Sequence, residues 1–443
     1  MSVSLRRKNI SKIERKAIYK DLTFTPRNKN QRGQMVDGKP ILFYKKGKKY
    51  IYVPFFYALS KKVKITQASE LDRRPDLRFT RTLRDYQKPT TKKAWQQIQK
   101  YRTTLLNLPT AHGKTIIGAY IACKLKIVTA ILLSSTALIE QWLETIKGFT
   151  TATTFVIDSK QKKRYNDEDI IIVMKGCLNR LGNSDIKKIK FLIIDEADTF
   201  CCKTGVEAIL KISNVSHVML QTATKHKQNG LGTILTTEVG EHEVWIPRTK
   251  PFKLIIIKTG IRVIRRYDKD GNFKWSDVIS ELSDDKYRNK LIIKHAVDMH
   301  AKICQYEPKA TTLILSKEYD HALYLAKRSQ RHYTSDYLAG NKSTIKDCDF
   351  LSGTLAKLAR GFDINSHLKG KRIVVHAVIT DTISDESLLA QTFGRAMRAD
   401  NPIITIIVDE DPAILRHMRS TKKWAKNNGC TKIKIIDLTE EEV

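Results

Sequence analysis

"LNLPTAHGKTIIGA", Leu106–Ala119, ends as a phosphate-binding loop ends, with Gly113-Lys114-Thr115 running into an apolar helical stretch. A loop that follows an apolar strand and opens a helix aims backbone N–H groups and the helix dipole at one point, which suits an anion. There Lys114 is placed for the β- and γ-phosphates of a nucleotide and Thr115 for Mg2+. The strict pattern has another glycine five positions before Gly113, and Leu108 stands there instead. The decision falls to a second stretch, "FLIIDEADTF", Phe191–Phe200. Four apolar residues read as a strand buried on both faces, and it ends in Asp195 and Glu196. Acids at the carboxyl end of a parallel strand face the ligand crevice. Asp195 suits Mg2+ through water, and Glu196 suits the group that polarises an attacking water. The pair reads as a site for ATP and Mg2+, with Ala111 and His112 standing where smaller or polar residues are usual.

The surrounding texture agrees. "TTLLNL", "TAILLSS", "TTFVID", "DIIIVMKG" and "HVMLQTAT" are apolar strands separated by helical patterns, and "TTLILSK", "SDYLAG", "CDFLSG", "RIVVHAVI", "PIITIIVD" and "TKIKIID" repeat the alternation later. Apolar strands alternating with helices mean parallel sheets covered on both faces, an α/β class. The expected division is a basic α+β module over 1–78, a first α/β lobe over 79–250, a connector over 251–290 and a second α/β lobe over 291–443.

Charge points to the partner. The 443 residues hold 80 Lys and Arg against 46 Asp and Glu, a formal net charge of +34. Such a surplus favours polyanions, and an anionic membrane is the weaker rival because no basic amphipathic helix with a broad apolar face stands out. It is densest at the start: from Met1 to Thr66 there are 18 Lys and Arg against Glu14, Asp21 and Asp37. Ser11 and Glu14 form a capping box ahead of a short helix. "ILFYKKGKKYIYVPFFYAL" reads as two strands around a lysine-rich glycine turn, with aromatics interleaved. This module is expected to hold nucleic-acid phosphates. Seven cysteines without a CxxC pair argue against zinc and against a disulfide framework, and for a reducing compartment. MSVSLRRKNISKIERK lacks the apolar core of a signal peptide, and no run reaches membrane-spanning length. The cytoplasm is expected.

Further motifs follow in order: "LRDYQ" with Arg84, Tyr86 and Gln87; Thr110 and Gly113 in the loop; "SSTALIEQW", Ser134–Trp142; "TAT", Thr222–Thr224; "LSGT" around Ser352; "ARGFDIN" with Gly361 and Asp363; "QTFGRAMR" with Gln391, Arg395 and Arg398. Over about Leu83 to Asp409 this series resembles superfamily 2 helicases and translocases. The resemblance implies two tandem RecA-like lobes with ATP between them. It implies that Lys114, Thr115, Asp195 and Glu196 bind and hydrolyse ATP with Mg2+, and that Arg395 and Arg398 reach the γ-phosphate. Arg84, Tyr86 and Gln87 take the adenine, Thr110 and Gly113 belong to the loop, and Gly361, Asp363 and Gln391 sense nucleotide. Thr136, Gln141, Thr222, Thr224 and Ser352 contact the nucleic-acid backbone.

Asp195-Glu196-Ala197-Asp198 spells DEAD, yet "STALIEQW" replaces the PTREL-type motif of the DEAD-box RNA enzymes, and Gln391-Thr392 stands where their last motif begins HR. The pattern is similar to the DNA-acting branch, most of all to the UvsW-like fork-remodelling helicases of tailed phages, with poxvirus transcript-release helicases next. The expected partner is forked or branched DNA, the expected state a monomer. An RNA helicase or transcript-release translocase and an ATP-inert nucleic-acid scaffold are the alternatives. Between the lobes, "TGIRVIRRYDKDGNFKWSDV", Thr259–Val278, reads as a hairpin about Asp270-Gly271, with Arg262, Arg265 and Arg266 on phosphates and Tyr267, Phe273 or Trp275 on a base.

Overall fold

The structure, a computed structural model, describes residues 2–29, 35–63, 73–110, 112–160, 164–213, 215–225, 230–247, 250–265, 267, 274–340, 342, 344–358, 364, 368 and 372–438. They form two compact units, Met1–Ile246 and Pro247–Val443.

The apolar runs become inner strands. In the first unit seven strands lie side by side in the order Thr154–Ile157, Ile170–Met174, Thr129–Leu133, Phe191–Ile194, His217–Thr222, Thr103–Asn107 and Glu243–Trp245. Every neighbouring pair is parallel. Alternate residues feed two separate cores, as the two-residue period of a strand requires. Ala130, Leu132, Leu192 and Ile194 enter one, and Ile131, Leu133, Phe191 and Ile193 the other.

The second unit repeats the plan. Its order is Ser335–Leu338, Phe350–Thr354, Ala310–Ser316, Ile373–Ile379, Ile403–Glu410, Phe252–Arg262 and Cys430–Asp437, again all parallel. Leu254 and Ile256 face one core and Ile255 and Ile257 the other. The α/β class and the tandem lobes hold.

The basic module packs on the first lobe rather than standing apart. Phe43, Ile51, Val53 and Phe55 share one core with Val206, Ile209 and Leu235, and Ser2 N donates to the Ile212 carbonyl at 2.8 Å. The capping box is present: Glu14 N donates to Ser11 Oγ at 3.1 Å, Ser11 N to Glu14 Oε2 at 2.8 Å, and helix Lys12–Asp21 follows. The glycine turn joins Lys45–Lys46 to Tyr50–Pro54 in antiparallel register. Phe55–Ser60, expected to prolong the strand, is a helix. Pro54 lacks a donor for the ladder and takes the place before the first helical residue.

Residues 251–290 are not a plain connector. Phe252–Arg262 lies between Ile403–Glu410 and Cys430–Asp437 in the second sheet. A run buried on both faces is more stable inside a sheet than in a projecting arm. Thr259–Arg262 is therefore the end of an inner strand, and Trp275 opens helix Trp275–Asp284. The Arg266, Asp270, Gly271 and Phe273 assignments lie outside the described residues.

Candidate nucleotide site

The loop leaves strand Thr103–Asn107, an inner strand of its sheet, and enters helix Lys114–Leu125 at Gly113. Gly113 has φ +84°, a left-handed conformation that favours glycine. A Cβ there would also stand 2.1 Å from Gln87 Nε2, so the Gln87 amide would have to shift away from the loop. Gln87, expected at an adenine edge, is buried and committed to the loop. Its oxygen accepts the Arg84 N–H at 3.1 Å, and its nitrogen donates to the His112 carbonyl at 3.4 Å. Tyr86 is 45% exposed, its ring edge-on to His112 at 5.2 Å. Arg84 donates to the Tyr86 hydroxyl at 3.3 Å. Burial, and then Lys114, hold the His112 imidazole below its ordinary pKa, which keeps it neutral.

Lys114 Nζ donates to the Leu108 carbonyl at 3.3 Å, which places the ammonium over the loop. Thr115, in the first helical turn, is buried and accepts a hydrogen bond from Gln141 Nε2 at 3.1 Å. Asp195, one residue past strand Phe191–Ile194, is only 3% exposed. Its Oδ2 accepts from Trp142 Nε1 at 2.9 Å and its Oδ1 from Glu196 N at 2.9 Å. Burial pushes its carboxyl up from the ordinary range, while Lys114, Trp142 and the Glu196 N–H oppose that and Asp198 adds to it. A hydroxyl and a carboxylate are hard oxygen donors of the kind Mg2+ takes. The hydrogen bonds to Asp195 come only from neutral N–H groups among the described residues, so a cation suits it. Thr115 and Asp195 thus fit Mg2+.

Glu196 has φ 46° and ψ 51°, a left-handed backbone that costs about 1–2 kcal/mol without glycine. Such strain concentrates where a side chain must be aimed. Thr222 Oγ1 donates to Asp198 Oδ1 at 2.9 Å, and Gln221 Nε2 to the Lys114 carbonyl at 2.9 Å. The end of strand His217–Thr222 is thereby tied to both the acid segment and the phosphate loop.

Residues 88–230 match the family model for DEAD/DEAH box helicases. That match covers the stretch from helix Gln87–Tyr101 through the phosphate loop and the acid-ended strand, so this part of the chain is similar to the DEAD/DEAH box helicases. It is similar to "Putative helicase 161L" of Invertebrate iridescent virus 6, 22% identical over 85% of this chain and 88% of that protein. It is also similar to "Putative ATP-dependent RNA helicase L396" of Acanthamoeba polyphaga mimivirus, 24% identical over 89% of this chain and 78% of the relative. Among solved structures, S. cerevisiae Dbp5 bound to RNA and ADP BeF3 shares the fold. Its TM-score is 0.57 at 16% identity, over 79% of this chain and 89% of that one.

Within this fold several sequence assignments change. Gln141 and Thr222 were expected on a nucleic-acid backbone, but their side chains bind Thr115 and Asp198 inside the first lobe. Ser352 is buried in the inner strand Phe350–Thr354, where a backbone contact is closed to it. Arg265 donates to the buried Asp411 at 2.7 Å, and Trp275 packs against the second lobe's core, so neither stands as a tip for nucleic acid. Thr136 is exposed before helix Ala137–Phe149, and the Thr224 N–H donates to Thr222 Oγ1 at 3.0 Å. In the second lobe, Gln391 is buried on helix Glu386–Gly394. Arg395 follows that helix half-buried, and Arg398 is exposed. Gly361 and Asp363 lie outside the described residues. Three residues carry geometry that no assignment used: Trp142, Asp198 and Gln221. The first two stood within quoted motifs, "EQW" and "DEAD"; Gln221 directly precedes "TAT".

Proposed function

We propose that the protein is an ATP-hydrolysing helicase or translocase that moves on branched DNA with little sequence preference. The observation that carries the ATP reading is the convergence of Lys114 and Thr115, at the start of the loop's helix, with Asp195 and Glu196, just past strand Phe191–Ile194. Lys114 and the N–H groups at the start of its helix bind the phosphates. Thr115 and Asp195 hold Mg2+, which when bound neutralises phosphate charge. Glu196 takes a proton from the attacking water. Arg395 and Arg398 stabilise charge on the γ-phosphoryl group as it is transferred. Thr110 and Gly113 shape the loop. Arg84 and Tyr86 take the adenine ring, and Gly361, Asp363 and Gln391 couple nucleotide to movement.

The basic module supports a polyanion. Glu14 is engaged by Ser11, Asp21 by Tyr57 and Lys61, and Asp37 by Arg27. These three acids therefore leave most of the neighbouring Lys and Arg to outside phosphates. Thr136 and Thr224 remain candidates for the backbone track. DNA is preferred because of "LRDYQ", "STALIEQW" and "QTFGRAMR". RNA is the second reading, favoured by the name of the mimivirus relative and by the RNA bound to Dbp5.

Measuring ATP turnover with forked DNA, plain duplex DNA and RNA separates the two; strongest stimulation by RNA overturns the DNA reading. Glu196→Gln is expected to lower turnover by about 10²–10⁴-fold while ATP still binds, and Lys114→Ala to lose both. Near-normal turnover in either folded variant removes the proposed site.

A further inference from the structure

Thr115 and Asp195, the two residues that fit Mg2+, belong to different elements, the first turn of helix Lys114–Leu125 and the end of strand Phe191–Ile194. Both are met by consecutive residues of a third element, helix Ala137–Phe149. Gln141 Nε2 donates to Thr115 Oγ1 at 3.1 Å, and Trp142 Nε1 donates to Asp195 Oδ2 at 2.9 Å. Consecutive helical residues point about 100° apart, so one dipeptide can serve two neighbouring elements.

The packing around Trp142 is built for this reach. Its side chain is wholly buried, the largest such in the described residues. Its ring lies against Gly118 in the middle of the loop's helix. A Cβ on Gly118 would stand 2.9 Å from the ring and 2.6 Å from Gln221 Nε2. Glycine is disfavoured inside a helix, and here it admits the indole and the Gln221 amide together. A phenylalanine would fill most of the space, but only an indole brings a donor to the carboxylate. The Asp195 carboxylate is held by one donor on each oxygen, and the Thr115 hydroxyl by Gln141. Further lone pairs on these oxygens stay available.

We propose that Gln141 and Trp142 are a positioning pair for the divalent cation of bound nucleotide, each orienting one ligand oxygen. The inference rests on the nucleotide reading above. Partners that orient metal ligands typically change metal affinity 10–100-fold. The pair acts on the cation and not on the nucleotide's own contacts with Lys114 and the loop.

The test uses the full chain with Trp142→Phe and Gln141→Leu. ADP affinity is measured in EDTA, and Mn2+ affinity of the ADP complex by electron paramagnetic resonance, with circular dichroism to verify folding. The expected result is unchanged metal-free ADP affinity and a roughly 10–100-fold weaker Mn2+ site in each variant. Unchanged Mn2+ affinity in a folded variant overturns the proposal. So does an equal loss of ADP affinity with and without Mn2+, which would make the pair plain support for the loop. Should the Phe variant fail to fold, the Leu variant, at a half-buried position, decides alone. A wild-type chain that binds no ADP overturns the nucleotide reading itself, and this proposal with it.

Discussion

Replacing Thr222 by Val removes one hydroxyl at nearly constant volume, at a point where two motifs are joined. Thr222 Oγ1 donates to Asp198 Oδ1 at 2.9 Å and accepts the Thr224 N–H at 3.0 Å, with Thr222 and Asp198 both buried. A hydrogen bond to a carboxylate contributes about 1.5–3 kcal/mol, and a buried N–H deprived of its acceptor costs about 1–3 kcal/mol. Asp198 has further contacts, and Thr224 is half-exposed at the strand's end. The low ends of both ranges therefore apply, for a net loss of about 2–3 kcal/mol. Chemical denaturation followed by fluorescence measures it. Function should suffer in a specific way. Asp198 lies two residues after Glu196, so the lost bond frees the strand end from the acid segment but leaves Lys114 and Asp195 in place. Base pairs opened per ATP hydrolysed should fall more than the hydrolysis rate does. A Val variant equal to wild type in stability and in unwinding per ATP refutes the reasoning.

Arg395→Ala should lower saturated turnover more than ATP affinity, since its interaction matures in the transition state; loss of affinity alone would make it a ground-state contact. In the second lobe Arg288 is buried and donates to both Asp409 oxygens at 3.0 and 3.1 Å, while Thr259 Oγ1 donates to Asp409 at 2.7 Å. Arg288→Met should cost about 3–5 kcal/mol in denaturation, and adding Asp409→Leu should recover most of it, because the cost is a stranded charge. Burial holds His217, His295 and His321 down to about 4. These groups bind protons in the unfolded chain first, so their stabilisation is full above about pH 6.5 and is lost as pH falls towards 4. Melting temperature followed from pH 7 to pH 4.5 should drop steadily; a flat profile would show these histidines to be accessible.

The strands, their parallel pairing and the acid-ended strand beside the phosphate loop were legible because they rest on local pattern. Continuous Ile, Leu and Val runs are stable when buried on both faces, and a loop between such a strand and a helix, with glycine before Lys114, reads as a phosphate loop. The same logic failed for Thr259–Arg262, read as one arm of a hairpin from the turn signal at Asp270-Gly271. Burial of Leu254–Ile257 decided otherwise and carried the strand on to Arg262. It failed again for Gln87, Gln141, Thr222 and Ser352. A polar side chain next to a motif looks the same in sequence whether it faces a ligand or a buried neighbour. Only packing shows that Gln141 and Trp142 meet Thr115 and Asp195, residues 26 and 53 positions away. Composition and period act along the chain, and they determined the α/β lobes, the basic surface and the position of the phosphate loop. Hydrogen bonds between distant elements form only after the strands have stacked, so tertiary structure alone decided which polar groups remain for ligands.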